Sequence, residues 1–340
     1  MENKGLIIAS PGNLKLMNLA LPRPNNDEIL VRVNFTALCG SDIKLYLGHY
    51  TAPHKYPILI GHEWVGEVVQ AGHGQSGFWQ PGEIVTGDCS IFCGICSYCS
   101  TNKNHCLNVE KKGITVDGSC AQYICVKASH IYRCPPLPDS KVFALTEPLA
   151  VVVQAIINRI PSDDLHKVRN ALIIGSGGIG SMALLALQEF DIPKITIVDQ
   201  SPEKLAVLSS FGFSNLITQQ TELSESSTLS GPFDLIIEAS GSPVALQRAI
   251  DLASPCGRIV CVGHQKTLEL DFGTVIKKSL TLLASIGSTG GFEKAIEIIR
   301  VHPEQVSKLI TRIVPIDESP EYFATSLLKS ADIKVLIDLR

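Results

Sequence analysis

The chain has no surplus of basic residues, no apolar run long enough to cross a bilayer, and no internal repeat or low-complexity segment. Its 29 lysines and arginines stand against 33 aspartates and glutamates, a formal charge of −4. That balance offers nothing to grip a phosphate backbone or an anionic lipid surface, so neither nucleic acid nor membrane is expected as a partner. The longest apolar stretch, near 149–157, is too short for a membrane span and follows Glu147-Pro148. No secretory leader is read at Met1-Glu2-Asn3-Lys4, which runs into only a short apolar stretch. With 340 residues the chain is too long for a small disulfide scaffold, despite 11 cysteines. A cytoplasmic protein that keeps its thiols reduced for metal is expected.

What is present suits an ordinary globular protein, with 45% hydrophobic and 18% charged residues. The length suggests two domains of roughly 150 residues each. Residues 1–150 read as short β-like runs broken by Gly and Pro, such as Glu28-Ile29-Leu30-Val31-Arg32-Val33 and Trp64-Val65-Gly66-Glu67-Val68-Val69. Ala121-Gln122-Tyr123-Ile124-Cys125-Val126 is a third, and together they predict a small β-barrel. From about Val151 strands begin to alternate with helices. Ala171-Leu172-Ile173-Ile174, Lys194-Ile195-Thr196-Ile197-Val198-Asp199 and Asp234-Leu235-Ile236-Ile237-Glu238 are buried strands, as are 258–262 and 280–284. Ser201-Pro202 starts a helix, with Ser as its cap. The fold class is α/β, with a doubly wound parallel sheet over 151–289. Residues 219–231 read as a surface loop. A helix over 292–301 and strands near 311–314 and 334–337 complete the first domain, because 290–340 is too short for a core of its own.

Four cysteines carry the strongest single signal. Cys93, Cys96, Cys99 and Cys106 follow a C-x2-C-x2-C-x6-C spacing, with Gly94 easing the turn. Four thiolates converging on one ion make a closed, structural zinc site. An iron–sulfur reading would need three residues before the last cysteine and a proline after it, whereas here the gap is six and Leu107 follows.

The second signal is Gly175-Ser176-Gly177-Gly178-Ile179-Gly180, between a predicted strand and a helix. Its amides and the helix N-terminus suit a pyrophosphate. Gly175 allows the tight turn, Gly177 the approach of phosphate, and Gly180 close helix–strand packing. Asp199, at the end of the next strand, is placed to accept the adenosine ribose hydroxyls. Its charge disfavours a 2′-phosphate, and Gln200-Ser201 bring no arginine to hold one. NAD is therefore favoured, with NADP possible. The third group, Cys39, His62, Glu63 and Glu147, is scattered along the chain, and spacing alone does not prove that it converges.

Taken together, these motifs resemble the zinc-dependent medium-chain dehydrogenases of the alcohol and polyol type. The likeness rests on Cys39-Gly40-Ser41-Asp42, Gly61-His62-Glu63, the four-cysteine knuckle, Glu147-Pro148-Leu149-Ala150 and the glycine loop with Asp199. It implies a GroES-like barrel completed by the C-terminal segment, with a Rossmann domain inserted. Two zinc ions per chain are implied: one structural, and one catalytic on Cys39 and His62 with Glu147 or Glu63 as third ligand. Ser41 would hydrogen-bond a substrate hydroxyl and pass its proton outward. Asp42 would fix the His62 tautomer through the other ring nitrogen.

The implied reaction oxidises a secondary hydroxyl to a ketone, on a small-molecule polyol or aminocyclitol, in a homodimer or homotetramer. Tyr56-Pro57, Trp64-Val65-Gly66, Gly87-Asp88 and the ending Leu336-Ile337-Asp338-Leu339-Arg340 further resemble dehydrogenases of aminoglycoside antibiotic pathways. That narrower likeness implies 2-deoxy-scyllo-inosamine as substrate; sorbitol, threonine and galactitol-phosphate dehydrogenases share the same frame. Substrate choice is expected in Lys44, Tyr46, His49, Tyr50 and His54. A non-catalytic NAD-binding protein is the alternative of another class, and retention of Cys39, His62 and Glu147 speaks against it. Cys89, Cys120, Cys125, Cys134, Cys256 and Cys261 are expected to be core packing.

Overall fold

The computed structural model describes residues 2–218, 231–264, 269–327 and 331–340. The loop expected over 219–231 lies, but for its last residue, outside them. The chain divides into two compact units, Met1–Glu147 with Ser288–Arg340, and Pro148–Gly287.

In the first unit the strand Glu28–Ala37 is the hub. Its alternating Ile29, Val31 and Val33 enter the core. One edge pairs antiparallel with Glu63–Ala71. The other edge is shared, first by Tyr123–Lys127 and then by Lys334–Asp338, with Leu336 opposite Ala37. The sheet continues through Ile84–Gly87 to Ile131–Arg133 on one flank and through Ile310–Pro315 on the other. A three-stranded sheet of Asn13–Asn18, Lys4–Ser10 and Ile58–Leu59 adds Leu6, Ile8 and Ile58 to the core that holds Trp64. The C-terminal strand is thus an inner strand of the first unit. It is held on both edges.

The second unit is a six-stranded sheet, parallel throughout. Its order is Leu216–Thr218, Lys194–Asp199, Asn170–Ile174, Phe233–Glu238, Ala253–Cys261 and Thr281–Ala284. The order runs outward in both directions from Asn170–Ile174, which is the doubly wound arrangement. Pattern predicts five of the six; Leu216–Thr218 has three residues, too few to show a period. The Ser201 hydroxyl caps the helix Pro202–Ser209 by accepting from the Lys204 N–H at 3.3 Å. Lys278 Nζ closes the end of the helix Pro243–Leu252, 2.7–3.1 Å from the carbonyls of Ile250, Asp251 and Ala253. Among the described residues no helix is long and apolar enough to cross a membrane.

Three of the six cysteines expected in cores, Cys89, Cys120 and Cys134, are buried, and Cys125 and Cys261 are half-buried. Cys256 departs from that expectation. It is exposed, at φ 60°, where the backbone kinks and its N–H donates to the Lys278 carbonyl.

Packing of the glycine loop is tight enough to test. A Cβ on Gly180 would stand 1.7 Å from the Gly175 carbonyl oxygen. Gly180→Ala should therefore destabilise the second unit by about 3 kcal/mol, seen as a lower unfolding temperature by calorimetry. An unchanged thermogram would contradict this packing.

Candidate metal centres and nucleotide loop

Cys39 is the N-cap of the helix Gly40–Leu47, so Ser41 and Asp42 lie in the first helical turn. One Asp42 oxygen turns back to accept the Cys39 N–H at 2.9 Å, and the other accepts the Gly61 N–H at 3.3 Å. A single fully buried carboxylate thereby joins the Cys39 turn to the Gly61-His62-Glu63 turn. Gly61 has φ +92°, and a Cβ there would press to 2.7 Å from the Thr36 side chain. Only glycine fits that corner.

The ligand atoms of Cys39, His62 and Glu63 lie within 4.8 Å of one another. Ser41 Oγ is 3.2 Å from His62 Nε2. The expected Asp42–His62 hydrogen bond is not made. Asp42 Oδ1 stands 3.8 Å from His62 Nδ1, because the backbone N–H groups hold the carboxylate, and the buried Nδ1 is left without a partner.

Glu147 comes from the first turn of the helix Thr146–Ala155 and is buried. It stands outside the 4.8 Å group, with Oε1 accepting from Cys89 Sγ at 3.4 Å. Glu63 is more firmly held, since Lys334 Nζ lies 2.5 and 2.7 Å from its two oxygens. The sequence pattern gave Lys334 no role and placed Cys89 in core packing. The one signal for Lys334 was a lysine opening an apolar strand, Val335-Leu336-Ile337.

The electrostatics of this pocket point to a cation site. Burial opposes charge on His62, yet Asp42, Cys39 and Glu147 outweigh it and push the imidazole up to about 10. Burial raises the Glu63 carboxyl to about 7, with Glu147 adding to the rise against the pull of Lys334 and His62. Both shifts record negative charge gathered out of water. A thiolate, an imidazole and carboxylates around such a spot fit a zinc ion that keeps a position open.

The knuckle has a different character. The sulfurs of Cys93, Cys96, Cys99 and Cys106 also lie within 4.8 Å of one another, with Cys96 and Cys99 3.4 Å apart. Backbone N–H groups point inward: the Leu107 N–H draws the Cys96 thiol down to about 6, and the Cys93 N–H donates to Cys106 Sγ at 3.3 Å. Burial and the neighbouring thiols push Cys99 up to about 12. Four sulfurs, with no fifth ligand among the described residues, suit a closed zinc site.

In the second unit Gly175 follows the strand Asn170–Ile174 at φ +96°, and Gly177 caps the helix Gly178–Leu187, whose first residues include Ile179 and Gly180. A Cβ on Gly177 would meet nothing within 4 Å, so the loop is open to a ligand there. The Asp199 carboxylate accepts the Ser176 N–H at 2.5 Å and the Ser201 N–H at 2.8 Å. It ends its strand facing the loop. Of the residues expected to choose the substrate, Lys44, His49 and His54 are exposed, while Tyr46 packs edge-on against Phe323 at 5.3 Å. Tyr50 is half-buried against the core and meets the His54 ring edge-on at 5.7 Å. Burial, then the charges of Cys39, Cys89 and Asp42, raise its phenol.

Comparison with known proteins bears on the fold and the family. Residues 25–138 match the alcohol dehydrogenase GroES-like domain, and residues 178–300 match the zinc-binding dehydrogenase domain. Sorbitol dehydrogenase of Halalkalibacterium halodurans is 29% identical over 96% of each chain. L-threonine 3-dehydrogenase of Chelativorans sp. is 29% identical over 98% of each. An alcohol dehydrogenase of Escherichia coli CFT073, solved with NADH, superposes with a TM-score of 0.87 at 26% identity over 99% of each chain. The fold is thus a GroES-like unit with a Rossmann-like parallel sheet, and the chain belongs to the zinc-dependent medium-chain dehydrogenases, the NAD(P)-linked oxidoreductases of alcohols and polyols.

Proposed function

We propose that the protein oxidises a secondary hydroxyl of a cyclic polyol or aminocyclitol to a ketone, with NAD as hydride acceptor. The observation that carries this reading is the convergence of half-buried Cys39 with buried His62 and Glu63 within 4.8 Å, beside the Ser41 hydroxyl. Zinc held by Cys39, His62 and a carboxylate from Glu147 or Glu63 would supply Lewis acidity toward the substrate oxygen, and NAD the electron sink.

Each residue has a definite task. Ser41 Oγ, 3.2 Å from His62 Nε2, is placed to bond the substrate hydroxyl and carry its proton outward. Asp42 keeps the two ligand-bearing turns in register through its paired backbone bonds. Gly175, Gly177, Gly178, Ile179 and Gly180 present the amides that take the pyrophosphate. Asp199 takes the ribose hydroxyls and disfavours a 2′-phosphate. The knuckle zinc on Cys93, Cys96, Cys99 and Cys106 holds its lobe in shape. We infer a cytoplasmic homodimer or homotetramer from the family likeness.

The specific substrate we assign is 2-deoxy-scyllo-inosamine, oxidised to 3-amino-2,3-dideoxy-scyllo-inosose in antibiotic biosynthesis. Its support is the likeness of the short segments around Tyr56-Pro57, Trp64-Val65-Gly66 and the C-terminus. The sorbitol and threonine dehydrogenases among the relatives support the wider class of secondary-hydroxyl substrates.

Metal analysis should find about two zinc ions per chain. Cys39→Ala should lose one of them and keep its fold. Its turnover should fall at least about a thousandfold, the rate equivalent of the several kcal/mol a bound metal supplies. Cys96→Ser should lose the other and unfold about 10 °C lower. Normal turnover by Cys39→Ala, or an unchanged melting point in Cys96→Ser, would contradict the assignment concerned. NADH and NADPH formation across 2-deoxy-scyllo-inosamine, sorbitol, threonine and galactitol phosphate should be strongest with NAD and the aminocyclitol. Activity confined to another member would remove the narrow assignment and keep the class.

A further inference from the structure

Glu238, in the second unit, is a carboxylate with 0% exposure that lies outside both the glycine loop and the metal pocket. It ends the strand Phe233–Glu238, opposite Ile174 in the register with Asn170–Ile174. Its Oε1 gathers three donors from the turn that follows: the Ser240 N–H at 2.9 Å, the Ser240 hydroxyl at 2.5 Å and the Gly241 N–H at 2.9 Å. Its backbone carbonyl accepts the Val262 and Gly263 N–H groups, both at 3.0 Å. Oε2 has no hydrogen-bond partner among the described residues. A dry carboxylate with one oxygen unmet is costly, and an apolar side chain would end a buried strand at less expense. The cost calls for a task beyond closing the strand.

The surroundings show what the carboxylate ties together. A Cβ on Gly263 would stand 2.3 Å from Oε2 and 2.4 Å from the Gly241 nitrogen. A Cβ on Gly175 would stand 3.1 Å from the Ser240 nitrogen and Cα. The turn after Phe233–Glu238 therefore packs against the loop after Ala253–Cys261 on one side and against the start of the glycine loop on the other. Glu238 sits where the three meet.

Sheet order gives that place its use. The glycine loop and Asp199 put pyrophosphate and adenosine on the side of Lys194–Asp199. The order reverses between Asn170–Ile174 and Phe233–Glu238, and a dinucleotide lies across such a reversal. Its second nucleoside must then cross the carboxyl ends of Phe233–Glu238 and Ala253–Cys261, over the two segments that Glu238 holds.

We propose that Glu238 is a positioning residue for the nicotinamide nucleoside, fixing the Ser240–Gly241 turn and the neighbouring Val262–Gly263 segment as the platform this half of the cofactor meets. The inference rests on the NAD reading of the glycine loop and Asp199. It goes further in naming the group that orders the other half of the site.

The test measures, by calorimetry on zinc-loaded protein, the binding of NADH and of ADP, which has the adenosine and pyrophosphate but no nicotinamide nucleoside. Wild type is compared with Glu238→Ala, Glu238→Gln and Gly263→Ala. Glu238→Ala should weaken NADH about tenfold, the scale of one charge-assisted hydrogen bond, and leave ADP within about twofold. Gly263→Ala keeps the carboxylate but drives a methyl group against it, and should show the same split. Glu238→Gln keeps an acceptor oxygen for the turn and should bring NADH binding to within about threefold of wild type. A glutamate that merely supported the sheet would weaken both ligands together. Equal loss of NADH and ADP, or wild-type NADH affinity in Glu238→Ala, overturns the proposal. If Glu238→Ala does not fold, Gly263→Ala decides: NADH affinity that stays at the wild-type value, or falls in step with ADP, overturns it. A wild-type protein that binds neither ligand would strike at the NAD reading itself and remove this inference with it.

Discussion

Negative charge buried around Cys39 and His62 is the constraint that the first unit is built to meet. Asp42, Glu63 and Glu147 are all nearly inaccessible to water, and a carboxylate in that condition must be hydrogen-bonded, paired or protonated. The protein meets each by a different device. Asp42 is satisfied by backbone N–H groups, Glu63 by an ammonium, and Glu147 by a thiol. None of these devices neutralises the pocket as a whole, which is why the His62 imidazole is pushed up to about 10. A dication at that spot would meet a field already arranged for it.

Chain connectivity obeys the same requirement. Lys334 can reach Glu63 only if the last strand lies beside Glu28–Ala37, the strand that leads into Cys39. A ligand turn at one end of the sequence and its charge partner at the other are thus brought together by one sheet register. Moving that register by one residue would turn Lys334 to the opposite face of the sheet and put an apolar side chain against Glu63. The C-terminal segment therefore contributes to the chemistry of the pocket as well as to the core.

How much of this could be read beforehand depended on whether the information was local. The knuckle was legible because four cysteines within fourteen residues form their own site. The glycine loop was legible because strand, turn and helix are consecutive, and Ser201-Pro202 announced its helix for the same reason. The strand Asn13–Asn18 and the short strand Leu216–Thr218 carry little pattern, since their residues are exposed or half-exposed, or too few. Lys334, Cys89 and the double tie made by Asp42 were not legible. Each depends on a contact between distant segments, 271 residues apart for Lys334 and Glu63, and spacing says nothing about such pairs. Asp42 was expected to orient His62; both its oxygens are instead given to backbone N–H groups, a competition that only the folded turn reveals.

The same distinction separates the class of reaction from its substrate. A metal pocket with an adjacent hydroxyl recognises a CH–OH group, a feature common to sorbitol, threonine and an aminocyclitol. Discrimination among them must come from groups that meet the rest of the carbon frame, and such groups need no fixed spacing from the ligands. Tyr46 illustrates the difficulty: its sequence position beside the first ligand suggested substrate contact, yet it packs edge-on against Phe323 in the core. Tyr50, four residues on, stands one helix C-cap away, where Gly48 turns the chain at φ +72° and redirects the loop beyond it. Its half-buried phenol lies in the field of Cys39, Cys89 and Asp42.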